Sequence, residues 1–166
     1  MESTGSGAFT VSQRRTFNGP IDRAWERLAQ LDAIAQWAPD VEHSSMLTEQ
    51  RDGVGAARRI QAGRVTLVET ITEWQAPSGD ETAGMAYVLE GLPPMVGTVI
   101  NRWELRSVPF GVGTLPQTDI TLTCSIQPTA KRIGRPLSRI MSRVMSKTLR
   151  SLIDGFCDVG NGAENE

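Results

Sequence analysis

A long apolar stripe near the C-terminal end of the sequence limits the possible folds more than any other feature. Its residues recur every three or four positions over about five helical turns. They are Leu137, Ile140, Met141, Val144, Met145, Thr148, Leu149, Leu152, Ile153 and Phe156. The opposite face carries Arg139, Arg143, Lys147 and Arg150. The pattern predicts an amphipathic helix over residues 136–157, and that helix needs a large apolar surface to cover.

Residues 41–128 supply such a surface because their apolar side chains recur with period two. The clearest alternating runs are 64–74, 82–90, 98–108 and 117–127, and clusters of Gly, Pro and Asp separate them. Alternation of this kind predicts an antiparallel meander with one wet face and one buried face.

The N-terminal segment adds a strand and two short helices. Phe9 to Phe17 reads as a strand, Asn18-Gly19-Pro20 ends it, and helical spacing follows up to Pro39. The order predicts an α+β fold, a curved antiparallel sheet of six or seven strands around the C-terminal helix. Two short helices after strand one would plug one end, and such an arrangement tends to leave an internal cavity.

Composition narrows the class further. The 166 residues fit one domain, which we place at 8–158, with polar tails at 1–7 and 160–166 that we expect to be disordered. A net charge of −2 gives no electrostatic case for nucleic acid.

The sequence contains few residues of the types that bind metals or act as nucleophiles. The chain has one histidine, and Cys124 and Cys157 sit in apolar register, so we expect buried free thiols and no metal. Gly111-Val112-Gly113 precedes no helix, so we expect no nucleotide cofactor. No apolar run suits membrane insertion and no signal-peptide core is present, so we expect a cytoplasmic monomer or homodimer.

Several segments together carry a resemblance to a known family. The segment from Val11 to Trp37 contains Pro-Ile-Asp-Arg-Ala-Trp-Glu and Leu-Asp-Ala-Ile-Ala-Gln-Trp, and Val68–Trp74, Tyr87–Gly91 and the closing helix follow in order. Over residues 9–157 the chain resembles the START-like, or polyketide cyclase/dehydrase, superfamily. The resemblance implies a helix-grip fold, like that of the birch pollen allergen, the plant abscisic acid receptors and the bacterial aromatase/cyclases. It also implies a cavity for a lipid, sterol, polyketide, hormone or quinone, with catalysis in only some branches.

Alternation assigns the side chains that would face this cavity. With charged residues placed in water, the inward positions include Tyr87, Leu89, Asn101, Trp103, Leu105 and Leu122. The strand over 65–74 is ambiguous. If Glu69 and Glu73 are wet, Val68, Thr70, Thr72 and Trp74 point inward, and Leu67 and Ile71 are left on the outer face.

Two further lining residues complete the predicted ligand-binding set. Resemblance to the aromatase/cyclases implies that Trp37 and Trp103 both border the cavity, although plain core packing is the alternative. Met141 enters from the helix stripe. The hydroxyl of Tyr87 and the amide of Asn101 would anchor a polar group of the ligand or bond internally.

Arg58 and Arg59 are adjacent, so one of them could project inward. A buried arginine would need an acidic ligand or Glu69 as its partner. We favour the interpretation in which both are solvated at an edge.

These residues support two functions of different classes. The first is the binding or carriage of a small hydrophobic molecule, which needs only a cavity and one or two polar anchors. The second is catalysis as a polyketide aromatase/cyclase or dehydratase, for which Tyr87 and Arg59 are the candidate proton handlers. We favour the first, because residues 66–72 and 85–89 lack the arginines that the resemblance implies for the enzymes. A quinone-binding or ribosome-associated role within the same superfamily is a further alternative.

Overall fold

The computed structural model describes residues 8–79, 81–109, 111–129 and 135–161, and in the last helix the side chains of residues 139–158. The strands and helices follow the predicted order. They are β1 (Phe9–Asn18), α1 (Ile21–Ala29), a 3₁₀ helix (Leu31–Gln36), β2 (His43–Met46), β3 (Ala57–Ala62), β4 (Val65–Gln75), β5 (Thr82–Glu90), a 3₁₀ turn (Pro94–Val96), β6 (Thr98–Val108), β7 (Gln117–Gln127) and α2 (Arg135–Asn161). The α+β helix-grip fold predicted from the sequence is confirmed. Residues 160 and 161 of the predicted C-terminal tail belong to α2 instead, and residues 1–7 and 162–166 lie outside the described residues.

In the described part of the chain the sheet has seven strands in the order β1-β7-β6-β5-β4-β3-β2, all antiparallel to their neighbours. β2 to β7 form a meander, and the last strand, β7, also pairs with the whole length of β1. Burial along β6 and β7 alternates residue by residue. The inward positions that alternation predicts on these two strands, including Asn101, Trp103 and Leu122, are confirmed as buried.

The two short helices after β1 pack apolar side chains onto the concave face of the sheet. On α1 the buried residues are Ile21, Ala24, Trp25 and Leu28. The 3₁₀ helix adds Leu31 and Ile34. Trp25 meets Trp74 of β4 edge to face, with ring centroids 4.9 Å apart. These contacts hold α1 against the sheet.

The two halves of the long helix α2 differ in how deeply their apolar side chains are buried. Leu149, Ile153 and Phe156 are completely buried, and this C-terminal half packs against β1 and β7. In the N-terminal half, Ile140 is 56% exposed and Val144 is 57% exposed. The prediction of one stripe buried along its whole length is therefore wrong for this half, because a cavity rather than the sheet lies beneath it. Leu137, the first residue of the stripe, lies outside the described side chains.

The difference between the two halves can be measured with matched truncations on the same helix stripe. Ile153→Ala should lower the free energy of unfolding by about 2–5 kcal/mol, because Ile153 is buried outside the cavity wall and its truncation leaves a hole in close-packed core. Val144→Ala should change it by less than about 1 kcal/mol, because the side chain is already half in water. Chemical denaturation of both variants checks this. Equal losses would mean that the N-terminal half of α2 is packed as tightly as the C-terminal half.

Candidate functional site

A cavity of about 500 Å³ lies between the N-terminal half of α2 and the concave face of the sheet. Its wall is almost entirely apolar. The sheet contributes Ile60, Leu67, Leu89, Val99 and Ile126, and the helix contributes Met141, Met145 and Leu152. Leu92 and Val96, in the loop between β5 and β6, complete one side, and Ile140 and Val144 stand at the exposed rim.

An aromatic cluster fills the space under the other half of the helix. Trp37, Trp103 and Phe156 meet one another with ring centroids 5.1 to 5.9 Å apart. All three side chains are buried. The cluster therefore closes the interior of the domain at this end, and the cavity extends from the middle of α2 toward its N-terminal half.

The structure divides the predicted ligand-binding residues into two groups. Leu89, Asn101 and Met141 lie in the wall of the cavity. The others that point inward, Trp37, Tyr87, Trp103, Leu105 and Leu122, are packed core residues outside that wall. For Trp37 and Trp103, burial outside the cavity wall corresponds to the alternative of plain core packing. Alternation finds the face of a strand, but it does not tell which positions along that face meet empty space.

Strand β4 is where the predicted faces are wrong. Val68 and Thr70 are half-buried and Thr72 is exposed, and none of the three reaches the cavity. Leu67 and Glu69 line it instead, and Ile71 is buried.

The physical reason is a β-bulge. Ile71 pairs with Tyr87 and Glu73 pairs with Ala86, so Thr72 is an extra residue between two registers. An extra residue moves the following side chains to the other face. Trp74 does point toward the core. Strict alternation backward from Trp74 ignores the bulge, and it therefore assigns the wrong face to the residues before Thr72.

Arg58 is the second correction. It is buried rather than solvated, whereas Arg59 is exposed as expected. Its Nε donates to Oε2 of Glu69 at 2.6 Å, and its Nη1 donates to the carbonyl oxygen of Leu31 at 2.6 Å. Its guanidinium also lies over the ring of Tyr87, 5.7 Å from the centroid. The buried pair ties β3 and β4 to the 3₁₀ helix and places a neutralised carboxylate at the cavity wall.

Breaking this pair from one side should be costly. Glu69→Gln should lower the free energy of unfolding by about 3–5 kcal/mol, because it leaves the Arg58 guanidinium buried without its counter-charge. The double variant Arg58→Met with Glu69→Leu should recover most of that loss. Urea unfolding measures both. As a control, Glu73→Gln removes the exposed partner of Arg102 and should leave the unfolding midpoint almost unchanged.

A polar chain runs from the aromatic cluster to the cavity. Trp103 Nε1 donates to the Tyr87 hydroxyl at 3.4 Å, and Asn101 Nδ2 donates to the same oxygen at 3.5 Å. Burial, followed by the nearby Glu69 carboxylate, raises the pKa of Tyr87 far above its usual value. Tyr87 is therefore a neutral phenol, and the other candidate proton handler, Arg59, is exposed away from it.

The two cysteines are buried free thiols, as the sequence predicts. Burial raises the pKa of each, Cys124 and Cys157, to about 11. Neither thiol lies in the cavity wall. They belong to the packed core rather than to a nucleophilic site.

The raised pKa values predict slow thiol chemistry in the folded protein. At pH 8 a thiol of this pKa is ionised in about one molecule per thousand, and the thiolate is the reactive form. Ellman's reagent should therefore find almost no reactive thiol in native protein and two per chain in guanidinium chloride. A fast reaction of one thiol in native protein at pH 8 would contradict the burial of that residue.

Two other kinds of feature are absent from the described part of the chain. Among the described side chains, no group of three His, Cys, Asp or Glu is placed to hold a metal ion. Likewise, no helix in the described ranges is long and apolar enough to cross a membrane.

A curved antiparallel sheet that grips a long C-terminal helix around an apolar cavity defines the helix-grip class. Within that class, the family model for polyketide cyclase / dehydrase and lipid transport proteins matches residues 8–156, so the chain belongs to this family. No curated protein matches the sequence.

Solved structures confirm the fold. The ZhuI aromatase/cyclase from Streptomyces sp. R1128 is similar with a TM-score of 0.68 and 18% identity, over 96% of this chain and 99% of that chain. A protein from Thermus thermophilus gives 0.67 and 19%, over 95% and 100%. Ara h 8.0201 gives 0.60 and 11%, over 90% and 98%. At these identities the likeness concerns the fold alone.

Proposed function

We propose that this protein binds and carries a small, largely apolar molecule in the cavity beneath the N-terminal half of α2. The observation that carries the proposal is the cavity itself, about 500 Å³ with an almost wholly apolar wall. That volume falls inside the usual range for ligand pockets, about 300–1,000 Å³. The description of the family, which includes lipid transport, agrees with this role.

The rim of the cavity supports the same function. Ile140 and Val144 expose apolar side chains there at a cost in free energy, which a bound ligand would offset by covering them. Met141 and Met145 line the helix side. Methionine is flexible and polarisable, so these two side chains can adapt to the shape of the ligand.

Polyketide cyclisation is the second candidate, and the similarity to ZhuI favours it. Cyclisation needs groups that polarise carbonyls and move protons inside the cavity. Among the described lining residues, Asn101 and Thr148 are the neutral hydrogen-bonding side chains, and Tyr87 and Arg59 do not reach the wall. Conversion of a poly-β-ketone thioester into an aromatic product would favour this second function over carriage.

Binding can be tested with Nile red, a neutral dye whose emission rises in apolar surroundings. The dye should bind wild-type protein, and Met141→Glu should weaken its affinity about tenfold or more, because a carboxylate in the wall must be desolvated when the dye enters. Ser142→Glu adds the same charge at the next position of α2, outside the wall, and should bind dye as the wild type does.

Equal affinity in both variants would place the dye outside the cavity. Native mass spectrometry of freshly purified protein is the complementary measurement. We expect a co-purified small molecule, and Met141→Glu should lose it while Ser142→Glu keeps it.

A further inference from the structure

The charges around the cavity have one sign. Asp40 and Glu69 are the charged residues among the described lining, and no lysine, arginine or histidine joins them there. Glu69 is neutralised by Arg58, and Asp40 accepts a hydrogen bond from Ser151 at 2.9 Å. A carboxylate ligand would therefore meet two acidic side chains and no free cation.

The neutral polar groups of the wall differ in whether they are satisfied. The hydroxyl of Thr148 already donates to the carbonyl oxygen of Val144 at 3.1 Å. Asn101 is only 6% exposed, and its Oδ1 is buried without a hydrogen-bond partner in the described structure. Leaving such an acceptor unpaired costs about as much as a lost hydrogen bond, so this amide is the place where a ligand has the most to gain.

The amide of Asn101 is also held in place. Its Nδ2 donates to the Tyr87 hydroxyl, which in turn accepts from Trp103 Nε1. Nδ2 therefore has a partner within the protein, whereas the acceptor Oδ1 has none. A hydroxyl or N–H on the ligand can complete it, whereas an ether or a hydrocarbon cannot.

We propose that the ligand is a neutral, largely apolar molecule with a hydroxyl or N–H group that donates to Oδ1 of Asn101. This inference rests on the proposed function, because it assumes that the cavity is the binding site. It selects alcohols and phenols over free acids of the same carbon skeleton.

Four compounds with one ring system separate these classes. They are 2-naphthol, 2-methoxynaphthalene, naphthalene and 2-naphthoate, and each is measured by its displacement of Nile red at pH 7. We expect 2-naphthol to bind about tenfold more tightly than 2-methoxynaphthalene and naphthalene, which leave Oδ1 unpaired. We expect 2-naphthoate to bind most weakly.

Two variants assign the preference to one residue. Asn101→Leu should reduce the advantage of 2-naphthol over 2-methoxynaphthalene to about onefold. Thr148→Val removes the other neutral hydrogen-bonding side chain of the described wall and should keep the full advantage. Should Asn101→Leu fail to fold, the side-chain amide signals of Asn101 in ¹⁵N spectra of wild-type protein should shift further with saturating 2-naphthol than with saturating 2-methoxynaphthalene.

Each contrary result has a distinct meaning. Equal binding of the naphthol and its methyl ether by wild-type protein would overturn the hydroxyl preference while leaving the proposed function intact. A preference that survives in Asn101→Leu would overturn the role of that residue, and tightest binding of 2-naphthoate would overturn the neutrality of the ligand. If neither Nile red nor any of the four compounds binds, the proposed function itself fails.

Discussion

The close approach of α2 to the turn after the 3₁₀ helix is the contact on which the rest of the architecture depends. It takes place at Gly155, where a Cβ atom would lie 2.2 Å from the carbonyl oxygen of Trp37. Because glycine permits this distance, Phe156 can insert against Trp37 and Trp103 and anchor the helix to the sheet. The anchor lies at one end of a 27-residue helix, so the other end spans the sheet without filling the space beneath it.

The sequence is enough to predict the fold because each element carries its own strong periodicity. The helix stripe, the alternation of β6 and β7 and the break at Asn18-Gly19-Pro20 each indicate one local structure, and their order permits few arrangements. The cavity is harder to predict. A side chain that lines a cavity and one that packs in the core are both apolar, so Met141 and Ile153 look alike in the sequence, although the first lines the cavity and the second is buried in the core.

The two errors on the middle strands have a common origin in the assumption that charge means water. That assumption places Glu69 outside, and the bulge at Thr72 makes the resulting register look consistent with Trp74 inside. In the structure Arg58 and Glu69 enter the interior as a pair, each compensating the other, with the carbonyl of Leu31 as a third partner. Neither residue alone signals burial. Their burial is explained by the pairing of Arg58 with Glu69 across β3 and β4, and that pairing follows only once the strand register is known.

The half-open helix also links ligand binding to stability. Apolar area at Ile140 and Val144 is left in water, which weakens the hold of the N-terminal half of α2 on the domain. A molecule in the cavity would supply the partner surface that the sheet does not, and because it binds only the folded chain it must stabilise that chain by mass action. The same stripe of residues thus has two roles along one helix. Its C-terminal part closes the domain, and in the proposed function its N-terminal part would be completed by the ligand.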